Sequence, residues 1–260
     1  MALTYGEYLA LDELLELQRP LSEGPEHDEM LFLVIHQVYE LWFKQMLHEL
    51  DGLRERLGRS DTPAALHTLK RILTILKTQV AQVDILETMT PMSFSSFRDR
   101  LDTASGFESF QFREVEFVLG HRRDPVLRHY PAQSRERGRL EQRLQEPSVW
   151  DALLHYLHGL GYEMPEESLH RDVSEPTQES AAVQEVLLEV YRTDPLASQV
   201  CERLVDLDEG LQEWRYRHVK MVERTIGTKQ GTGGSAGAEY LRSTLFKPLF
   251  PDLWAIRVRL

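Results

Sequence analysis

Two long runs of apolar residues at helical spacing constrain the fold more than any other feature of this sequence. Between Asp28 and about Leu57 the apolar side chains cover more than one face of a helix, which is typical of a helix at the centre of a bundle. In a second segment, at about 62–88, they recur at steps of three and four residues, and Thr90-Pro91 ends the pattern. Strand-like alternation is almost absent, so the sequence predicts an all-α fold.

Further helical patterns cover most of the remaining chain. They lie at about 108–119, 134–145, 147–160 and 180–192, and a last long one runs from about Ser198 to Ile226, where Gly227 provides a stop. Residues 163–189 hold eight acidic residues against one arginine, which predicts a solvated linker followed by a surface helix. Because helices are spread over all 260 residues without an internal repeat, we expect a single-domain helical bundle spanning 1–260.

Charge and cysteine content exclude several function classes. The net charge of −12 argues against nucleic acid or an anionic membrane as a partner, because both need a basic surface. The longest unbroken apolar run, Met30 to Ile35, is too short to span a bilayer, and the N-terminus has no signal-peptide pattern. The single cysteine, Cys201, excludes an internal disulfide and multi-cysteine metal sites. We therefore expect a cytoplasmic protein without nucleic-acid or membrane partners.

Two histidines stand where burial is expected. His36 lies within the apolar helix, and His218 replaces an apolar residue in the stripe of the last long helix. An unpartnered buried polar group costs about 1–3 kcal/mol, so each needs a partner. Each could be a core histidine bonded to a neighbour. Alternatively, the pair could enclose a haem, with one imidazole on the iron and the other on the open side.

Two further features could bind a small polar ligand. The segment Gly231-Thr-Gly-Gly-Ser-Ala236 fits a loose dinucleotide pattern, but a helix precedes it where that fingerprint needs a strand. It is either a flexible linker or a loop whose amides and Thr232 hydroxyl close on a ligand. Arg98, beside Phe97, could hold a carboxylate bidentately or form a surface salt bridge.

Four segments in the same order resemble the tryptophan 2,3-dioxygenase family, and the similarity covers most of the chain. The matching motifs are Tyr5-Gly-Glu-Tyr8-Leu9; Glu29 to Gln37 with Tyr39 to Lys44; Phe97-Arg98-Asp99 with Ser105-Gly106-Phe107 and Gln111-Phe112-Arg113; and Trp214 to His218 with Gly231 to Ser235. The resemblance implies a haem b enzyme that adds both atoms of O₂ across the indole C2–C3 bond of L-tryptophan. The product would be N-formylkynurenine, which belongs to the kynurenine pathway.

The resemblance also implies roles for individual residues. His218 would be the axial iron ligand, and His36 would lie on the open side of the haem, near the indole N–H. The other implied substrate contacts are Phe32, Arg98, Thr232 and, from a neighbouring subunit of a homotetramer, Tyr5, Tyr8 and Leu9. Ser105 and Gly106 would line the haem pocket. Residues 1–20 would be exchanged with the neighbouring subunit, and 228–240 would form a flexible active-site loop.

Departures from the family pattern leave other functions open. Ala236 stands where many relatives have serine, and Phe94 where some bacterial members have tyrosine. A paralogue that monooxygenates a substituted tryptophan, such as β-methyltryptophan, to an oxindole would share the same pocket residues. A non-catalytic haem sensor and a haem-free helical scaffold are the remaining alternatives.

Overall fold

The chain is a bundle of helices, as the apolar periodicity predicts. A computed structural model describes residues 2–24, 26–102, 104–229, 231 and 237–260. Its α-helices are α1 Tyr5–Leu9, α2 Leu11–Leu15, α3 His27–Gly58, α4 Thr62–Leu86, α5 Pro91–Phe97, α6 Phe110–Val118, α7 Arg135–Leu144, α8 Val149–Gly159, α9 Glu166–Leu169, α10 Ala181–Thr193, α11 Pro195–Ile226, α12 Ala238–Arg242 and α13 Pro251–Ala255. Short 3₁₀ turns lie at Arg98–Leu101, Gly106–Glu108, Asp124–His129 and Ile256–Arg259. The described residues form no strand, which confirms the all-α prediction.

Three long helices form the centre of the bundle. Helix α4 packs against both α3 and α11, and α6 and α8 also pack against α3. Gly210 of α11 allows close packing, because a Cβ there would lie only 2.9 Å from the Leu76 Cδ2 atom of α4. None of the helices in the described part of the chain is long and apolar enough to cross a membrane.

Local sequence signals fix the ends of the helices that carry the site. Thr90 caps α5 and Pro91 occupies its first turn, while the Ser109 hydroxyl accepts a hydrogen bond from the Phe112 amide at the start of α6. Helix α11 begins at Pro195 under an Asp194 cap, three residues earlier than the apolar stripe predicts. It ends at Ile226, and Gly227 follows as the C-cap with a φ of 63°, which confirms the predicted glycine stop.

The acidic segment at 163–189 is only partly the predicted linker. It contains the short α9 and then α10, which buries Val183, Leu187, Leu188 and Val190 in the main core. Helix α10 is therefore the predicted surface helix, with one face in the core and with Glu185 and Glu189 exposed on the other. The acidic residues between these apolar positions raise the polarity of the segment and mask a stripe at helical spacing.

Candidate active site

A cavity of about 280 Å³ lies between the central helices and brings the two singled-out histidines together. Side chains of α3, α5, α6 and α11 line it, and most of them are apolar. His36 projects from α3 and His218 from α11. A small buried cluster forms the adjoining packing layer, with Ile35, Tyr39, Phe43, Leu86, Met89 and Phe97 as its members. The two histidines are therefore cavity residues, not separate core residues.

His36 presents one free ring nitrogen to this cavity. Its Nδ1 lies 2.7 Å from the carbonyl oxygen of Phe32, one turn earlier on α3. Because a carbonyl only accepts, Nδ1 carries the proton and Nε2 is left as an acceptor. Burial lowers the pKa of His36, although the Phe32 carbonyl and Glu40 oppose this effect. His36 is therefore a neutral hydrogen-bond acceptor near pH 7.

His218 is held differently. Burial, with smaller contributions from His36 and Arg113, lowers its pKa to about 4, so the imidazole is neutral near pH 7. Its ring stacks on Trp214 with an interplanar angle of 4° and a centroid separation of 5.3 Å. No hydrogen bond joins this ring to another described residue. A neutral imidazole with an available nitrogen is the common form of a histidine metal ligand.

An aromatic wall adjoins His36. The Phe32 ring centroid lies 4.0 Å from that of His36, 5.9 Å from that of Phe94 and 5.5 Å from that of Phe97. Phe94 and Phe97 also meet edge to face. These rings provide a flat, apolar surface that suits a planar aromatic ligand.

The segment between α5 and α6 supplies three of the predicted site residues. Arg98 begins the 3₁₀ turn Arg98–Leu101 and lines the cavity, as do Ser105 and Gly106. The Ser105 hydroxyl accepts a hydrogen bond from the Phe107 amide, so it stabilises the second 3₁₀ turn. A Cβ at Gly106 would meet nothing within 4 Å.

A buried cluster of charges forms another part of the wall, and sequence reasoning missed it. The Glu116 carboxylate accepts hydrogen bonds from Arg113 at 2.7 Å, Arg123 at 2.7 Å and Arg215 at 2.8 Å. Burial opposes ionisation of Glu116, but the three guanidinium groups outweigh it and lower the pKa to about 2. The motif Gln111-Phe112-Arg113 included one member, yet no sequence pattern linked it to Glu116 or Arg215.

The charges in this Glu116 cluster do not balance. Three arginines face one carboxylate, and burial lowers the pKa of the neighbouring His121 to about 4, so that imidazole is neutral near pH 7. An excess of two positive charges therefore lies at the wall that Arg113 and Arg215 share with the cavity. Such an excess favours an anionic ligand, because buried charge is costly without a counter-charge.

Two groups of predicted site residues do not line the cavity in the described part of this chain. Tyr5, Tyr8 and Leu9 are exposed on α1, with 76%, 74% and 40% of their surface accessible. Thr232 lies outside the described residues, as do residues 230 and 233–236 of the predicted loop. Gly231 and Gly237, on either side of that segment, both line the cavity.

Sequence similarity to known proteins shows the family of this chain. A sequence profile of the tryptophan 2,3-dioxygenase family matches residues 1–159 and 177–260. The chain belongs to the tryptophan 2,3-dioxygenase family. A tryptophan 2,3-dioxygenase of Herpetosiphon aurantiacus is 64% identical over 260 residues, which cover 100% of this chain and 99% of that protein.

Other members of the tryptophan 2,3-dioxygenase family match over almost the same length. One from Anaeromyxobacter dehalogenans is 63% identical and one from Bacillus thuringiensis subsp. konkukian is 42% identical. The alignments cover 98% and 99% of this chain and 96% and 93% of those proteins. The resemblance seen in the motifs is thus confirmed, and the chain is a member of an oxidoreductase family.

Proposed function

We propose that this protein binds haem b through His218 and cleaves the indole C2–C3 bond of L-tryptophan with O₂. Both oxygen atoms enter the product, N-formylkynurenine. The observation that carries the proposal is one apolar cavity lined by two neutral histidines and Arg98, in a chain of the tryptophan 2,3-dioxygenase family. The names of the relatives support the same substrate and reaction.

The residues at the cavity fit a haem. His218 offers a neutral imidazole. No described residue forms a hydrogen bond with this ring, so a ring nitrogen is available to iron. The excess of two positive charges in the Glu116 cluster matches the two carboxylates that haem b carries. When bound, the haem supplies the iron that activates O₂, which protein side chains cannot do by themselves.

The residues of the chain bind and orient the substrate. The rings of Phe32 and Phe94 pack on the indole, and Arg98 pairs with the carboxylate of the amino acid. Holding both ends places the indole C2–C3 bond in one pose, which lowers the entropic part of the barrier. The apolar wall also keeps water out of the reaction.

His36 acts on the indole N–H. Because Nδ1–H donates its hydrogen bond to the Phe32 carbonyl, Nε2 can accept a hydrogen bond from the substrate nitrogen. The electron-rich indole does not require full deprotonation, so the role of His36 is orientation and hydrogen bonding. Its lowered pKa keeps this acceptor unprotonated at neutral pH.

Two further parts of the proposal concern Thr232 and the N-terminal helix α1. Thr232 would bind the ammonium and carboxylate end of tryptophan as residues 228–240 close. The exposed Tyr5, Tyr8 and Leu9 would complete the site of a neighbouring subunit in a homotetramer. A cytoplasmic location also stays a prediction.

Product analysis tests the proposed function directly. The purified protein, reconstituted with haem and reduced under nitrogen, is mixed with tryptophan and air, and the product is identified by mass spectrometry. We expect a product two oxygen atoms heavier than tryptophan, and a Soret band that is lost or strongly altered in His218→Ala. A product with only one added oxygen, from tryptophan or from β-methyltryptophan, would indicate an oxindole-forming paralogue. A bound haem without any product would indicate a sensor. A protein that does not take up haem would contradict the proposal.

A further inference from the structure

Both cavity histidines follow an aromatic residue by one helical turn. On α3 the pair is Phe32 and His36, and on α11 it is Trp214 and His218. Residues four apart on a helix are neighbours, so each aromatic ring contacts its histidine. The two pairs share a spacing, but the geometry of the ring contact differs between them.

In the first pair a hydrogen bond fixes the imidazole. The rings of Phe32 and His36 are tilted by 37°, and the short contact from Nδ1 to the Phe32 carbonyl sets the orientation of His36. In the second pair the rings are parallel within 4°, and no described residue hydrogen-bonds to His218. The stack on Trp214 is therefore the main directional contact of the His218 imidazole.

Trp214 is itself packed on several sides. Its ring meets Tyr39 and Phe43 edge to face, with centroids 6.2 and 6.3 Å away, and Phe112 at 5.0 Å. Tyr39 is tied down by a hydrogen bond of 2.7 Å from its hydroxyl to the Gln79 carbonyl of α4. Side chains of α3 and α6 thus hold the indole plane against which His218 lies.

We propose that Trp214 is a positioning residue that sets the plane of the His218 ring for coordination of the haem iron. The inference rests on the proposed function, because it assigns His218 to the iron. Metal-bound histidines usually donate their second ring N–H to a carboxylate, a carbonyl or water, which fixes the ring. Here a parallel aromatic contact takes over that orienting role without adding negative charge to the imidazole.

Trp42 provides a matched control. It lies on α3, is half-buried against the main core, and has an indole nitrogen that is buried without a described partner, as Trp214 has. It does not contact a histidine ring in the described structure and does not line the cavity. Loss of Trp42 therefore removes a similar amount of packing without touching His218.

The experiment compares Trp214→Leu, Trp214→Phe and Trp42→Leu in two states of the protein. In the apoprotein, NMR of ¹³C-labelled histidine follows the His218 ring protons, which are assigned with His218→Ala. In the reconstituted ferrous protein, resonance Raman spectroscopy follows the iron–imidazole stretching band, and a haem titration gives the affinity.

We expect Trp214→Leu to shift the His218 ring signals, to shift and broaden the iron–imidazole band, and to weaken haem binding about tenfold to a hundredfold. Trp214→Phe, which keeps an aromatic face, should restore most of each property, and Trp42→Leu should leave all three unchanged despite lower stability. An unshifted iron–imidazole band in a folded Trp214→Leu protein would overturn the inference and leave the proposed function intact. If the wild-type protein binds no haem, the proposed function itself is overturned.

Discussion

At the scale of single residues, the site is defined by which groups are charged. Burial keeps His36 and His218 neutral, so each offers a nitrogen lone pair. The positive charge lies instead on Arg98 and in the Glu116 cluster. Neutral acceptors beside fixed cations suit a zwitterionic aromatic substrate and a cofactor that carries carboxylates.

Arg98→Ala should weaken the binding of amino-acid substrates selectively. A hydrogen-bonded charge pair contributes about 1.5–3 kcal/mol, so we expect the KM for tryptophan to rise about tenfold to a hundredfold. The measurement is steady-state kinetics with tryptophan and with bare indole, which lacks the carboxylate. Arg100→Ala, an exposed arginine on the same 3₁₀ turn, serves as the control. An equal loss for tryptophan and indole would contradict the carboxylate role.

Glu116 should make the stability of the protein depend on pH in the acid range. Its pKa falls from the ordinary 4.5 in the unfolded chain to about 2 in the folded protein. The stabilisation is therefore complete above about pH 4.5 and is lost as the pH falls toward 2, because protonation uncouples Glu116 from its three arginines. Urea unfolding between pH 7 and 2.5 measures the effect.

In Glu116→Gln the free energy of unfolding at pH 7 should be lower by about 3–5 kcal/mol, because the arginines lose their buried counter-charge. The fall in the free energy of unfolding at acid pH should then become shallower. Glu141→Gln, which removes the half-exposed partner of Arg137, should change the stability by less than about 1 kcal/mol. A steep acid-dependent loss that survives in Glu116→Gln would show that other carboxylates cause it.

At the scale of elements, α11 links the core to the site. Its first half buries Val200, Leu204 and Leu207 in the main core, and its second half places Trp214 and His218 at the cavity. Because one continuous helix of 32 residues carries both parts, the packing of its first half fixes the position of the histidine. Asp208, between the two parts, joins this helix to the C-terminal segment.

Asp208→Ala should detach the C-terminal segment from α11. The Asp208 carboxylate accepts hydrogen bonds from the Leu249 amide at 2.7 Å, the Phe250 amide at 3.2 Å and the Trp254 indole nitrogen at 2.9 Å. The Gln212 side-chain amide also donates to Asp208, at 3.1 Å. Losing this acceptor leaves four donors unpaired, and we expect the free energy of unfolding to fall by about 3 kcal/mol or more.

Hydrogen exchange of the Leu249 and Phe250 amides, together with denaturant unfolding, measures this change. Asp206→Ala is the control, because Asp206 is half-buried and its ion pair in the described part of the chain is with Arg203, one turn away. We expect that variant to remain within about 1 kcal/mol of the wild type. Protection of both amides in Asp208→Ala would refute the role of this carboxylate.

At the scale of the whole molecule, the N-terminal segment does not contribute to the core of its own chain. Helices α1 and α2 bury no residue, and Leu3, Tyr5, Tyr8 and Leu15 remain largely exposed. Several exposed apolar side chains within one short segment favour contact with another protein surface. A neighbouring copy of the chain is the partner that the homotetramer proposal assigns to them.

Deleting residues 1–12 should therefore impair substrate binding without unfolding the chain. We expect the KM for tryptophan to rise at least about tenfold, because the neighbouring site loses its aromatic contacts, while the helical content stays the same. Kinetics, circular dichroism and light scattering provide the measurements. Val258→Ala, which shortens an exposed apolar side chain near the other end, is the control. An unchanged KM in the deletion would contradict the exchange of the N-terminal segment.

Much of the fold and part of the site could be predicted because the signals are local. The predicted ends of α3 and α4 lie within two residues of the observed ones, since apolar spacing and Pro91 act over a few residues. Short helices such as α5 and α13 were not predicted, because five to seven residues are too few to show a period. The polar positions of His36 and His218 also marked them as unusual within apolar stripes.

The sequence alone determined that the chain is helical, where the long helices lie and which two histidines interrupt their apolar faces, because these properties repeat within one or two turns. Only the tertiary structure decided that both histidines line one cavity, since the positions are 182 residues apart. It also decided that Glu116 gathers Arg113, Arg123 and Arg215, and that Trp214 lies parallel to His218. Charge balance and ring orientation depend on how separate helices pack, and no local pattern specifies either of them.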